Sequence, residues 1–117
     1  MRLHREAVIY LHRELVDFRK QINGLAVIVE SAMALDPFAE AFYLFRNRRG
    51  DRVKILYWER NGFCLWQKRL ERHRFVWPTA ESDAVLTLSG MQLNALLDGF
   101  DVWHRPPHQR LIYGAVA

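Results

Sequence analysis

The sequence predicts an α+β domain: an antiparallel β-meander of four to five strands with two helices packed on one face. Three observations carry that expectation. From Ala41 to Pro78 apolar and aromatic residues recur at strand spacing and are broken by Arg49-Gly50 and Asn61-Gly62. Upstream, Phe18, Ile22, Leu25 and Val29 recur at helical spacing. Downstream, Ser89 and Gly99 bracket a second short helical run. The chain has 117 residues, half of them hydrophobic, with seven Phe, four Trp and four Tyr. That is enough for one core but not two. The domain is expected over 1–102, followed by a C-terminal tail, 103–117, that holds two prolines and no clear period.

The elements follow in order. Ala7 to His12 carries β-branched and aromatic residues and predicts a short strand. Asp17 suits a helix N-cap, because its carboxylate can accept a free backbone N–H. The helix runs to near Met33, and Asp36-Pro37 ends it, since a residue before proline avoids the helical region. Gly24 inside it implies a close helix–sheet contact or a kink. Strands are predicted over Phe42–Asn47, Arg52–Glu59, Phe63–Leu70 and Phe75–Trp77, the last stopped by Pro78. Asn61-Gly62 is a strong hairpin signal, a type I′ turn with both residues at positive φ. Ala84–Leu88 is a further short strand, and the last helix holds Met91 to Leu97.

Strand side chains alternate between faces. A two-residue Asn61-Gly62 loop sets Arg60 opposite Phe63, Trp58 opposite Leu65 and Tyr57 opposite Trp66. One face then collects Phe42, Leu44, Val53, Ile55, Tyr57, Cys64, Trp66, Leu70, Phe75 and Trp77, with Arg46 and Lys68 near its ends. Nearly all apolar, it is expected to take both helices. The other face collects Tyr43, Phe45, Arg52, Lys54, Leu56, Trp58, Arg60, Phe63, Leu65, Gln67, Arg69, Arg74 and Val76, mixing aromatics with Arg and Lys.

Charge is unevenly spread. Between Arg46 and Arg74 stand ten Lys/Arg against three Asp/Glu, a balance of +7 in a chain of net +4. A local basic field beside aromatic rings suits nucleic acid better than a small neutral substrate. The seventeen basic residues are fourteen Arg and three Lys, and the planar guanidinium fork suits phosphate and guanine edges. Rings can stack on unpaired bases while cations hold the backbone. The candidate nucleic-acid-binding residues are therefore Arg48, Arg49, Arg52, Lys54, Trp58, Arg60, Phe63, Arg69 and Arg74. The competing reading is that the apolar part of this face is buried by a partner protein, another copy or the tail.

Other constellations are weak. Asp36, Asp51 and Glu59 sit at turns or beside them, so turn chemistry explains them better than catalysis or a metal. His104 and His108 are separated by Pro106-Pro107, which forbid the helix that would align them, and no second ligand pair completes a zinc site. Cys64, the only cysteine, excludes an intrachain disulfide and falls on the apolar face, where an inert thiol is expected. Arg19 and Lys20 follow a capping Asp17 and read as solvated cations. No catalytic residue, metal or cofactor is expected. The N-terminus interleaves charge with apolar residues and is not a signal peptide. No apolar run approaches the roughly 18 residues of a membrane span, so a cytoplasmic protein is expected.

The chain also resembles the small accessory protein TnpB, the second open reading frame product of insertion-sequence family sixty-six. The resemblance runs from about Ile9 to Asp101. It rests on Val16-Asp17-Phe18-Arg19-Lys20, Asn23-Gly24-Leu25, Asp36-Pro37-Phe38, Phe45-Arg46-Asn47-Arg48-Arg49 and Lys54-Ile55-Leu56-Tyr57-Trp58. Gly62-Phe63-Cys64-Leu65-Trp66, Lys68-Arg69-Leu70-Glu71, Arg74-Phe75-Val76-Trp77-Pro78 and Leu96-Leu97-Asp98-Gly99 extend it. Glu40 stands where the family usually has glycine, and Gln67 where it often has tyrosine. The resemblance implies a role in transposition beside a separate, larger transposase that performs the strand chemistry; it brings no catalytic residue with it. The expectation is a non-catalytic accessory protein that binds DNA of the element ends or the transposition complex through the basic-aromatic face. The alternative is a pure interaction module that stabilises the transposase without touching DNA. The transposase and other element-encoded proteins are expected partners, a membrane is not, and self-association stays open.

Overall fold

The computed structural model describes residues 7–103. Its elements are β1 (Val8–His12), α1 (Ile22–Ser31), β2 (Ala41–Arg46), β3 (Arg52–Glu59), β4 (Gly62–Arg69), β5 (Val85–Leu88) and α2 (Gly90–Leu97). They form one five-stranded sheet in the order β4-β3-β2-β1-β5. The α+β class is as expected, and the sheet is mostly antiparallel. The exception is β1, which lies parallel to β2 with Ile9 beside Phe42 and Leu11 beside Leu44. Parallel neighbours need a long crossover, and α1 supplies it.

That crossover overturns the expected placement of the helices on one face. Leu25 and Val29 of α1 pack on Tyr43, Phe45 and Leu56. Leu93, Leu96 and Leu97 of α2 pack with Ile9, Leu11, Phe42, Leu44, Val53 and Ile55 on the opposite face. The sheet is therefore a central layer between two small cores. The strand–helix–strand order from β1 to β2 was the sequence signal for this arrangement. The division of side chains between the faces is as expected: Tyr57, Trp66 and Leu70 join the α2 side, Phe63 and Leu65 the α1 side.

The β3–β4 register differs from the expected one by two residues. Glu59 pairs with Gly62, Trp58 with Phe63 and Ile55 with Trp66. The loop is Arg60-Asn61, and Arg60 takes the positive φ (57°) that was assigned to Asn61-Gly62. A left-handed non-glycine residue costs roughly 1–2 kcal/mol. The shift brings Trp58 edge-on to Phe63 at 5.0 Å, and an aromatic pair returns about 0.5–1.5 kcal/mol. An even shift leaves every residue on its expected face.

Two local expectations change. Asp17 does not cap α1, whose N-cap is Gln21 without a side-chain bond. Its carboxylate instead accepts from the Arg19 backbone N–H at 2.9 Å and pairs with the Arg19 guanidinium. Phe75–Trp77 is not a strand; it runs beneath the α2-side core, with the Phe75 N–H donating to Gly50 O at 2.8 Å. The Trp77 indole N–H donates to the carbonyls of His12 and Arg13. Gly24 makes no close approach to the sheet; the tight neighbour of a side chain there is the Lys20 stem. α2 is bounded as expected. Ser89 and Gln92 form a capping box, and Gly99 (φ 95°) ends the helix, with its N–H on Leu96 O and that of Phe100 on Ala95 O. Val102 and Trp103 pack against the α2-side core, the indole of Trp103 donating to Val76 O at 2.9 Å. His104, His108 and the rest of the tail lie outside the described residues.

Candidate nucleic-acid interface

The expected basic-aromatic face does not exist as one surface. The nine candidate residues fall into three places along β3 and its neighbours.

The first is the tip of the β2–β3 hairpin. The Asn47 side-chain oxygen accepts from the N–H groups of Gly50 and Arg52, and its amide donates to Asp51 at 2.8 Å. Gly50 turns the chain at φ 86°, where a side chain would strike Arg46 and Arg74. The tip is tied to the chain after β4 by Leu70 N–H to Asp51 O and Phe75 N–H to Gly50 O, each 2.8 Å. On this rigid frame Arg48 and Arg49 are exposed. Arg52 stands directly opposite Arg69 in the β3–β4 ladder. Arg74 follows in the exposed run Glu71–Arg74, its stem against Gly50. Arg72, which was not singled out from the sequence, is exposed in the same run. Arg48, Arg49, Arg52, Arg69 and Arg74 thus share one end of the sheet.

Carboxylates only partly balance this end. The Asn47 amide holds the Asp51 carboxyl below its usual range, aided by Arg49 and Arg52. Arg69 donates to Glu71 at 3.1 Å, but both side chains are more than half exposed, and such pairs contribute little. Arg46 adds a cation behind the tip. Its Nη1 donates to Phe75 O at 2.9 Å, and its guanidinium lies 5.8 Å from the Trp77 ring centroid. Its Nε is buried without a partner among the described residues. Burial and the neighbouring Arg74 lower its pKa.

Lys54 is the second place, and it leaves the candidate set. It is 2% exposed, and its ammonium donates to the carbonyls of Phe18 (3.0 Å) and Lys20 (2.9 Å), 4.7 Å from the Phe18 ring centroid. Burial, then Arg52, lowers its pKa from the ordinary lysine value. It pins the segment before α1 to the sheet and cannot meet a phosphate. Alternation alone put it on an open face; α1 and its approach segment cover that face.

The third place is the opposite end of β3. Trp58 and Phe63 pair across the strands, and Phe38, 55% exposed, lies 5.0 Å from Trp58 and 5.2 Å from Phe63. Arg60 is exposed in the adjoining turn. Trp58 lies six residues along β3 from Arg52, so at about 3.3 Å per residue the aromatic trio stands about 20 Å from Arg52. Asp36, Asp51 and Glu59 have separate local roles. Asp36 accepts the Phe38 N–H, Asp51 the Asn47 amide, and Glu59 the Cys64 thiol at 3.7 Å. Among the described residues no helix is long and apolar enough to cross a membrane.

Comparison with known proteins agrees with the resemblance. The family model described as IS66 Orf2 like protein matches residues 7–107. Two proteins of Sinorhizobium fredii (strain NBRC 101917 / NGR234) are similar, "Uncharacterized protein y4hO" and "Uncharacterized protein y4jC". The first is 40% identical over 77% of this chain and 76% of its own length. The second is 38% identical over 77% and 75%. No solved structure matches. The chain belongs to the IS66 Orf2 like family.

Proposed function

We propose that this protein is a non-catalytic accessory factor of transposition that grips DNA at the ends of its element, alone or within the transposition complex, through the basic end of its sheet. The observation that carries this reading is the facing pair Arg52 and Arg69. Like charges directly opposite on neighbouring strands destabilise a sheet. Here Arg48, Arg49 and Arg74 crowd the same end. A phosphate backbone relieves that repulsion, and the guanidinium fork suits it. Such contacts fix position and carry little sequence information, which suits a helper of a transposase that does its own recognition.

The aromatic end favours a second role for the same molecule. Phe38 is exposed and packs on the half-buried rings of Trp58 and Phe63, and aromatic clusters of this kind anchor protein interfaces. The transposase is the expected partner there. The separation of the two ends lets one chain hold DNA and protein at once.

The test is a titration of purified protein with element-end DNA over a range of salt concentrations. Binding that weakens steeply with salt supports the reading. Lack of salt-dependent affinity for any DNA, with or without transposase, leaves the interaction module alone.

A further inference from the structure

The two edges of the sheet are unequal. β5 is a four-residue strand, and short edges resist pairing. β4 is an eight-residue strand without proline, and among the described residues it pairs only with β3. Its side chains Phe63, Cys64, Leu65 and Trp66 are half-buried on both faces. The ladder shows which backbone groups are unused. Leu70 N–H bonds Asp51 O in the same register as the rest of β3–β4. Antiparallel ladders alternate bonded and non-bonded pairs, so Gly62, Cys64, Trp66 and Lys68 bond inward. Phe63, Leu65, Gln67 and Arg69 turn N–H and C=O outward.

The geometry points to a second copy of this chain, paired antiparallel along β4 about a two-fold axis near Leu65, as the occupant of that edge. A two-fold axis normal to the sheet pairs residues of the same face. Centred on Leu65, it matches outward-bonding residues with outward-bonding residues over the whole strand. Leu65 meets its own copy, Phe63 meets Gln67 and Asn61 meets Arg69. On the other face Cys64 meets Trp66. Charge selects the antiparallel sense. It sets the two Arg69 side chains about 27 Å apart at about 3.3 Å per residue, well beyond the roughly 8 Å screening length of physiological salt. A parallel pairing would stack the two basic ends. The result is one ten-stranded sheet with a basic end at each extremity.

The test uses the full chain. Sedimentation equilibrium should give twice the 13.9 kDa chain mass at tens of micromolar. Gln67→Pro, which deletes an outward N–H without touching the β3 ladder, should return the mass to a single chain with an unchanged circular dichroism spectrum. Were that variant to misfold, cross-linking decides. A Cys64→Ser, Leu65→Cys variant should form an interchain disulfide under mild oxidation, because a facing bonded pair has Cα atoms about 5.5 Å apart. Cys64→Ser, Thr87→Cys on the β5 edge should not. A single-chain mass at 100 micromolar, or cross-linking through position 87 in preference to 65, would overturn the proposal. So would concentration-independent hydrogen-exchange protection of the Phe63, Leu65, Gln67 and Arg69 amides, which would mean that the chain covers its own edge.

Discussion

Replacing Arg48 and Arg49 together with alanine isolates the basic end from everything else in the molecule. Both side chains are exposed and make no hydrogen bond among the described residues, and the turn beneath them is held by Asn47 and Gly50. Folding stability should therefore move by no more than about 0.5 kcal/mol, as for an ordinary surface change. DNA binding should change in a specific way. If Arg48, Arg49, Arg52, Arg69 and Arg74 each neutralise one phosphate of duplex DNA, log affinity against log salt falls with a slope of about −4.5. Between 50 and 200 mM salt that is a loss of about 500-fold. The double variant keeps three contacts, so its slope is about −2.7 and the same salt change costs about 40-fold. Fluorescence anisotropy with labelled duplexes of element-end and unrelated sequence reads both quantities, and the loss should be similar for the two sequences. An unchanged slope in the double variant would refute the placement of DNA at this end, whatever the absolute affinity.

Lys54→Met should behave in the opposite manner. It leaves the carbonyls of Phe18 and Lys20 without their donor, costing about 1–3 kcal/mol in urea unfolding, and it should leave the salt slope untouched. Tyr43 is buried with its hydroxyl donating to Asp36 O at 2.6 Å, and burial pushes its pKa up to about 12. An unfolded tyrosine ionises near pH 10. The stabilisation is therefore complete below about pH 10 and is lost as pH rises towards 12. Tyr43→Phe should flatten that alkaline decline in thermal midpoint, although it lowers stability at neutral pH. Asp51→Ala and Glu59→Ala should each leave transposition of a marked element near wild type, and joint binding of a divalent metal by these carboxylates, seen by calorimetry, would contradict their turn roles.

Much of this fold was legible in the residues because strand alternation is a robust signal. The two faces came out correctly even though the β3–β4 register was two residues off, since an even slip preserves parity. Capping chemistry located α2, because Ser89 and Gly99 act through neighbouring backbone groups. The larger misses were long-range, whereas the Asp17 cap and the exact Asn61-Gly62 turn were local ones. Nothing local in Val8–His12 says that it lies parallel to β2, and without that pairing α1 was assigned to the same face as α2. Lys54 followed from the same gap: alternation gives the direction of its side chain but not what covers it. Arg48 and Arg49 were legible because a hairpin tip is exposed in almost any packing. Trp58 and Phe63 were legible as residues of one face but not as a facing pair, and their neighbour Phe38 comes from the loop after α1 and was invisible to strand reasoning.

The strand order also constrains how the chain can assemble. The hairpins β2–β3 and β3–β4 join close neighbours and can form as soon as they are made. β1, first in sequence, sits between β2 and β5, and its Ile9 pairs with Leu88 at the far end of the domain. Until β5 leaves the ribosome, β1 therefore has one open side, and the α2-side core lacks its lid. Contacts of such separation slow folding, and an uncovered strand is a template for mispairing. Completion of this sheet is set by the last of its strands to be made and not by the first.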